Sequence, residues 1–314
     1  MIFPEEVISK LGADVLRLWV SAEDYRDDIK ISNEILKRLA DAYFRIRNTY
    51  RFLLGNLSDF DPEKDRIPYP ELHELDRWAL HRLQKLIARV REAYEQFEFH
   101  LVYHSVQNFC AVEMSALYFD ILKDRLYTFS SRSKGRKSAQ TALYEILKGL
   151  ATLMAPILSF TAEEVWKYIP SSNKPESIFL APFPEVQNEY LDEVLNERWE
   201  QIWEVRMAVT KVLEEARKEK TIGHSLDAQV HLYLPEKLYA LIKPYGAELR
   251  SLFIVSSAVL HPAAEGSKDE KGIRVEVLRA EGKKCERCWN YDGEVGHHPD
   301  HHTLCGRCVE AIQG

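Results

Sequence analysis

The sequence predicts a mainly α-helical protein: an antiparallel helical bundle, then a small α+β unit, then a compact terminal ribbon. Three observations carry this. Apolar residues recur at three- and four-residue spacing through most of the stretch from 32 to 170, the period of a helix with one buried stripe. The period falls to two at Gln229–Leu234 (QVHLYL), which is a strand pattern. Four of the five cysteines sit in two C-x-x-C turns within the last thirty residues.

In chain order, Pro4-Glu5-Glu6-Val7 opens a helix, with proline where no N–H is needed and acids at the positive end of the dipole. Gly12 stops it, and Ala13–Val20 begins a second, mostly buried element. Asp24, Arg26, Asp27 and Asp28 form a polar loop. Ser32 or Asn33 caps the next helix, whose stripe is Leu36, Leu39, Tyr43, Ile46, Tyr50 and Leu53. Arg38, Arg45, Arg47 and Arg51 decorate its other faces, either as a solvated surface or as phosphate contacts. After a proline-bearing loop, Leu72, Leu75, Ala79, Leu83, Leu86, Val90, Ala93 and Phe97 form one stripe. The helix from Val102 to Leu126 is rich in aromatics, read as core, and its Cys110 as a small core residue.

Ser130–Ser138 (SSRSKGRKS) reads as a flexible loop and is the most cationic short segment in the chain. A helix from Gln140 to Met154 follows and breaks at Pro156. Thr161 and Glu164 fit a capping box for a short helix that stops before Pro170. Residues 171–190 are proline-rich and polar and read as a linker. Beyond it, Leu195 to Ala216 keeps helical period. The QVHLYL strand, a helix-like segment at Pro235–Leu252, and strands at Phe253–Leu260 and Ile273–Leu278 complete the α+β unit.

Cys285-x-x-Cys288 and Cys305-x-x-Cys308 have the spacing of a four-thiolate zinc site. A two-residue gap lets both sulfurs of one turn reach one ion, and the second turn completes a tetrahedron. The competing readings are disulfides or redox thiols. No signal peptide favours an oxidising compartment. His297, His298, His301 and His302 lie between the pairs and could replace a thiolate, although four cysteines suffice. A closed four-sulfur site folds a module and activates no water.

Composition narrows the function classes. The 314 residues suit two or three domains, and the net charge is −7. The whole chain is therefore not a basic nucleic-acid binder, and any RNA contact must use a local basic face. No apolar run is long enough to span a bilayer. No P-loop or Gly-x-Gly-x-x-Gly is present, and no catalytic residue is assigned. Thr221-Ile222-Gly223-His224 lacks the first histidine of an H-x-G-H nucleotide motif and follows a helix instead of a strand.

Several segments together resemble bacterial isoleucyl-tRNA synthetase across essentially the whole chain. They are GADVLRLW (12–19), RNT (47–49) with RFLLGN (51–56), DRWA (76–79), KDR (123–125), MAPILSFT (154–161) and the two cysteine turns with Trp289. The resemblance is to the C-terminal part of that class I enzyme, after its K-M-S-K-S loop. It implies a stem-contact segment (1–31), a helical bundle of the synthetase anticodon-binding type (32–170), a linker (171–190), an α+β junction domain (191–282) and a zinc ribbon (283–314). It further implies one structural Zn2+ on Cys285, Cys288, Cys305 and Cys308, and isoleucine tRNA as partner. The RNA-contact candidates are Arg47, Arg51, Arg132, Lys134, Arg136, Lys137, Arg287 and Trp289. Trp289 reads equally well as the ribbon's own small core. The parent enzyme joins isoleucine to tRNA with ATP. The ATP site belongs to the catalytic domain, which the chain lacks together with the editing domain, so the chain alone is expected to be an inactive, cytoplasmic, monomeric binding module.

Two other readings remain: an assembly scaffold with weak RNA affinity, and a free-standing tRNA-binding paralogue. A similar ribbon closes formamidopyrimidine-type DNA glycosylases, whose N-terminal proline is the nucleophile. Here Met1, Ile2 and Phe3 precede Pro4, and the helical bundle does not suit that fold.

Overall fold

The computed structural model describes residues 2–171, 173–263 and 272–313. The Gly/Asp/Lys loop expected between the last two strands of the α+β unit falls at 264–271, outside the described residues. The chain divides into two compact units. One holds residues 1–120 and 134–192, the other residues 121–133 and 193–314.

The first unit is helical. Helix α1 (Pro4–Leu11) ends at Gly12, whose φ of +91° turns the chain into α2 (Ala13–Ala22). Helix α3 (Asn33–Asn56) is capped by Ser32, whose hydroxyl accepts the Ile35 N–H at 3.1 Å. Its expected stripe is buried, with Tyr43 half-buried. The hydroxyl of Tyr50 reaches across to donate to the Leu150 carbonyl at 3.1 Å. Helix α4 (Glu74–Glu95) buries Leu75, Ala79, Leu83, Leu86 and Val90 as its spacing requires. Phe97 does not join that stripe. It lies past the helix end at φ +59° and is exposed, because the chain turns there into α5 (Phe99–Asn108).

Beyond α5 the winding loosens to a π-helical stretch at Phe109–Phe119 before α6 (Asp120–Thr128), which from residue 121 belongs to the second unit. The wider turn buries Phe109, Cys110, Met114, Tyr118 and Phe119; of the aromatics expected as core, Tyr103 on α5 is only half-buried. Burial pushes the Cys110 thiol up to about 12. Helix α7 (Lys134–Met154) is the most enclosed element, with sixteen of its residues buried. It begins at Lys134, so only 130–133 of the expected flexible loop is non-helical. The reason is ion pairing with carboxylates distant in the chain: Lys134, Arg136 and Lys137 meet Glu71 (2.9 Å), Asp59 (2.5 Å) and Asp65 (2.7 Å).

Helix α8 (Ser159–Tyr168) starts two residues before the expected cap. Thr161 lies inside it, and the cap comes from Asp14 on α2, which accepts the N–H groups of Phe160 and Thr161. The described residues of the stretch 171–190, expected as a linker, instead pack on this unit. Glu163 accepts the Ser177 hydroxyl and Ile178 N–H, each at 3.0 Å, and Gln84 accepts the Gln187 N–H at 2.8 Å. Ile178 and Tyr190 are buried.

The second unit contains α9 (Glu193–Lys218) and a three-stranded sheet. The strands are β1 (Ala228–Leu234), β2 (Ser257–Pro262) and β3 (Arg274–Arg279), in the order β2-β1-β3. β1 runs parallel to β2 and antiparallel to β3, with Val230 opposite Ala258 and Val277. The parallel pair needs a crossover, supplied by α10 (Glu236–Ile242) and α11 (Leu249–Phe253). Phe253 belongs to α11, so β2 starts later than its sequence pattern indicated; Ile254 in left-handed conformation makes the break. Strand β1 alternates as expected, burying Ala228, Val230, Leu232 and Leu234. The Thr221–His224 stretch is a turn. Asp227 accepts the Gly223 and His224 N–H groups, and His224 Nδ1 accepts that of Leu226.

Candidate metal centre and nucleic-acid interface

The last thirty residues fold around their cysteines. A short hairpin, β4 (Lys283–Lys284) with β5 (Tyr291–Asp292), presents the first turn. Within it the Trp289 N–H donates to the Cys285 carbonyl and the Cys285 N–H to the Asn290 carbonyl, each at 2.9 Å. Trp289 takes φ +65° to close the turn. The second turn lies at the start of α12 (Gly306–Gln313), where Cys305 accepts the Cys308 and Val309 N–H groups at 3.0 and 3.1 Å. Helix geometry thus folds the second C-x-x-C back on itself. The Cys305 N–H points at Cys285 Sγ, 3.4 Å away, and ties the two turns together.

All four cysteines are buried, and their sulfurs lie within 4.8 Å of one another. Cys288 and Cys305 Sγ are 3.7 Å apart. Zn–S bonds of about 2.3 Å at tetrahedral angles require S–S edges of about 3.8 Å. The donor set therefore fits one structural zinc ion, and its burial leaves no side open to substrate. As bare thiols the four cannot all ionise together. A hydrogen bond from the Cys308 thiol holds Cys288 down to about 3, while burial pushes Cys305 up to about 11. A dication removes that conflict by taking four thiolates at once. The intervening histidines stand apart from the cluster: His298 and His301 stack on each other, and His298 accepts the Asp300 N–H.

The two arginines of the turns face inward. Arg287 donates to the Thr128 carbonyl and to Cys308 Sγ, the latter at 3.7 Å. Arg307 grips Asp124 with two bonds of 2.5 and 2.8 Å and lies over the Phe129 ring. Their positive charge offsets the net negative charge that four thiolates and one zinc leave behind. Burial pushes the Asp124 carboxyl up, but the Arg307 guanidinium more than offsets this and holds it below the usual range. The sequence singled out Asp124 only within the KDR segment and did not point to this pairing, because the partners are far apart in the chain.

The RNA-contact candidates fall into two groups. Lys134, Arg136 and Lys137 are engaged with carboxylates, and Arg287 with a carbonyl and a sulfur. Arg47 and Arg51 on α3, and Arg132 before α7, are exposed and make no ion pair among the described residues. Trp289 is 57% exposed, with the Lys284 ammonium 5.7 Å from its ring. It is therefore a surface aromatic and not the ribbon's core, which consists of the cysteines, Val295 and Leu304. No helix among the described residues is long and apolar enough to cross a membrane.

Residues 76–232 match the family described as the anticodon-binding domain of tRNA ligase, and residues 282–311 match a zinc finger found in FPG and IleRS. The isoleucine–tRNA ligase of Geobacter sulfurreducens is 53% identical over 320 aligned residues, covering 100% of this chain and 34% of that protein. That of Moorella thermoacetica is 51% identical, covering 99% and 34%, and that of Syntrophotalea carbinolica 52%, with the same coverage. The chain spans about a third of the length of these relatives.

Proposed function

The chain belongs to the anticodon-binding family of tRNA ligases, matching the C-terminal part of isoleucine–tRNA ligases, and we propose that it grips the anticodon arm of isoleucine tRNA. The observation that carries this reading is the match of about half identity along the whole chain, bundle and cysteine turns included. In the proposal the bundle, the α+β unit and the ribbon act as one positioning device. Activation of isoleucine by ATP and its transfer to tRNA fall to the remainder of a longer ligase, with which this chain acts in the cytoplasm as part of a monomer.

The chemistry suits the role. Phosphates supply affinity and steep salt dependence, while splayed loop bases supply identity through stacking and edge contacts. Arg47, Arg51 and Arg132 are exposed cations without a competing carboxylate among the described residues, and Trp289 is an exposed ring beside a lysine. Lys134, Arg136, Lys137 and Arg287 contact RNA in this proposal only by exchanging their present partners. Zinc, when bound, cross-links the two cysteine turns and thereby fixes the position of Trp289.

Titration of the zinc-loaded chain with isoleucine tRNA and with an anticodon-swapped version, at two salt concentrations, tests the proposal. Tighter binding to the cognate, weakening with salt, is expected. Equal and weak binding to both would favour the scaffold reading, which the acidic net charge of −7 supports.

A further inference from the structure

A notch of about 500 Å³ opens where the end of α2, the first half of α3 and the middle of α5 converge. Ile35, Arg38, Asp41, Ala42 and Arg45 line it at helical spacing from α3; Tyr103, His104 and Gln107 line it from α5. Ala22 and Glu23 close the third side. Arg38 and Arg45 are exposed one above the other, two turns apart, and neither makes an ion pair among the described residues, although Glu23 and Asp41 share the lining.

Two cations beside carboxylates that do not pair with them are poised for a different anion. The aromatic wall is equally specific. Tyr103 is half-buried, and the rings of Tyr103 and His104 lie 5.0 Å apart at 60°. Burial pushes the Tyr103 phenol up while the charges of Arg45 and Arg38 pull it back, so both guanidiniums act electrostatically on the aromatic wall.

We infer that this notch is a nucleotide-binding subsite for one residue of an RNA strand. Arg38 and Arg45 hold its phosphodiester, and its sugar or base rests on Tyr103. Gln107, Asp41 and Glu23 supply the donor and acceptors that a base edge requires. The cavity is large enough for a single nucleotide, and guanidinium forks suit phosphate oxygens. The inference rests on the reading of the chain as a tRNA-binding module, and it adds a site formed with α5 on the same helix that carries Arg47 and Arg51.

The test compares wild type, R38A/R45A, R38K/R45K, Y103F, Y103A and the control R89A, each zinc-loaded. Isoleucine tRNA binding is measured across a salt series, with AMP titrated separately as a free-nucleotide probe. The expected result is a roughly ten-fold or greater loss of tRNA affinity in R38A/R45A at low salt, with the log-log salt slope falling by about one to two. The double lysine variant should keep the slope. Y103A should lose roughly ten-fold in affinity while Y103F keeps it, and R89A should behave as wild type. Unchanged melting temperatures establish that the variants fold. Wild-type affinity and slope in R38A/R45A would overturn the inference while leaving the tRNA-binding proposal intact. So would AMP binding that is lost in the double variant with no change in tRNA binding, since the site would then serve a free nucleotide. Absence of tRNA binding by wild type would instead overturn the underlying proposal.

Discussion

The carboxylate of Asp14 on α2 accepts the backbone N–H of Thr161 at 2.7 Å and its hydroxyl at 2.5 Å, across 147 residues of sequence. The same carboxylate also takes the Phe160 N–H, so two free donors at the start of α8 are satisfied from another helix. Asp14 is buried, and Arg17 on the same helix donates to the Pro156 and Ile157 carbonyls just upstream. Together these bonds fasten α2 to the turn before α8. Asp14→Ala should therefore cost more than an ordinary surface substitution, about 1–2 kcal/mol, since it removes a cap and leaves the Thr161 hydroxyl without that acceptor. Asp14→Asn keeps an acceptor, loses the charge, and should fall between. Urea midpoints of the three proteins measure this. A shift within the ~0.5 kcal/mol of a neutral surface change would mean that the cap is dispensable.

Zinc content separates the four ribbon cysteines from the fifth. Cys288→Ser should drop bound zinc from about one ion per chain to a small fraction, because a closed four-sulfur site loses its geometry with one ligand. Amides in 283–313 should then exchange rapidly with solvent, since metal binding and folding of such a ribbon are one event. Cys110→Ala, in the buried π-helical stretch, should leave the zinc content unchanged. Metal analysis with hydrogen exchange reads both effects. Full zinc occupancy in the serine variant would remove the four-thiolate assignment.

The Arg307–Asp124 pair gives the second unit a signature in acid. The Asp124 carboxyl lies below its usual range in the folded protein, so its contribution is present above the unfolded carboxylate value of about 3.9 and is lost as pH falls through the lower folded value. Arg307→Ala should cost about 2–3 kcal/mol at neutral pH, because it leaves a largely enclosed carboxylate without its two-pronged partner. Asp124→Asn should be less stable than wild type at neutral pH and should converge with it as pH falls below about 4. Denaturation of both proteins between pH 3 and 7 gives the comparison. Parallel curves across the whole range would mean that the pair contributes nothing measurable.

Legibility in the sequence followed the range of the interaction. Local signals read well: Gly12 as a stop, Ser32 as a cap, the α3 and α4 stripes, the β1 alternation and the cysteine spacing each depend on neighbours a few residues apart. Errors arose where a distant partner decided the outcome. Thr161 fits a capping box, yet Asp14 supplies the cap. Residues 134–137 read as loop because they are cationic, but Glu71, Asp59 and Asp65 anchor them as the first turn of α7. Residues 171–190 have the composition of a linker, whereas Glu163 and Gln84 hold them to the first unit. The aromatic run at 109–119 shows its burial in sequence but not its π winding. Of the RNA-contact candidates, positive charge alone identified all seven basic residues. Only the folded chain separates Arg47, Arg51 and Arg132 from the four already engaged.

Gly282 sets the geometry on which the metal centre depends. It precedes β4 at φ +93°, and a Cβ placed there would lie 2.5 Å from the carbonyl carbon and 2.6 Å from the oxygen of Asp292. Both atoms are backbone of the paired strand, so no side-chain rotation relieves the clash, and the positive φ adds strain of its own. Gly282→Ala must therefore open the β4–β5 hairpin, in which Lys283 pairs with Asp292 and Lys284 with Tyr291. That hairpin carries Cys285 and Cys288, so the strain should appear as weaker metal binding. The expected cost is about 2–3 kcal/mol, which is roughly a thirty- to hundred-and-fifty-fold fall in zinc affinity if all of it is expressed there. Competition with a chromophoric chelator measures that affinity, and Gly293→Ala at the neighbouring open glycine, where a Cβ meets nothing within 4 Å, is the matched control. Equal zinc affinity in the two variants would mean that the hairpin shifts freely and does not position the first cysteine turn.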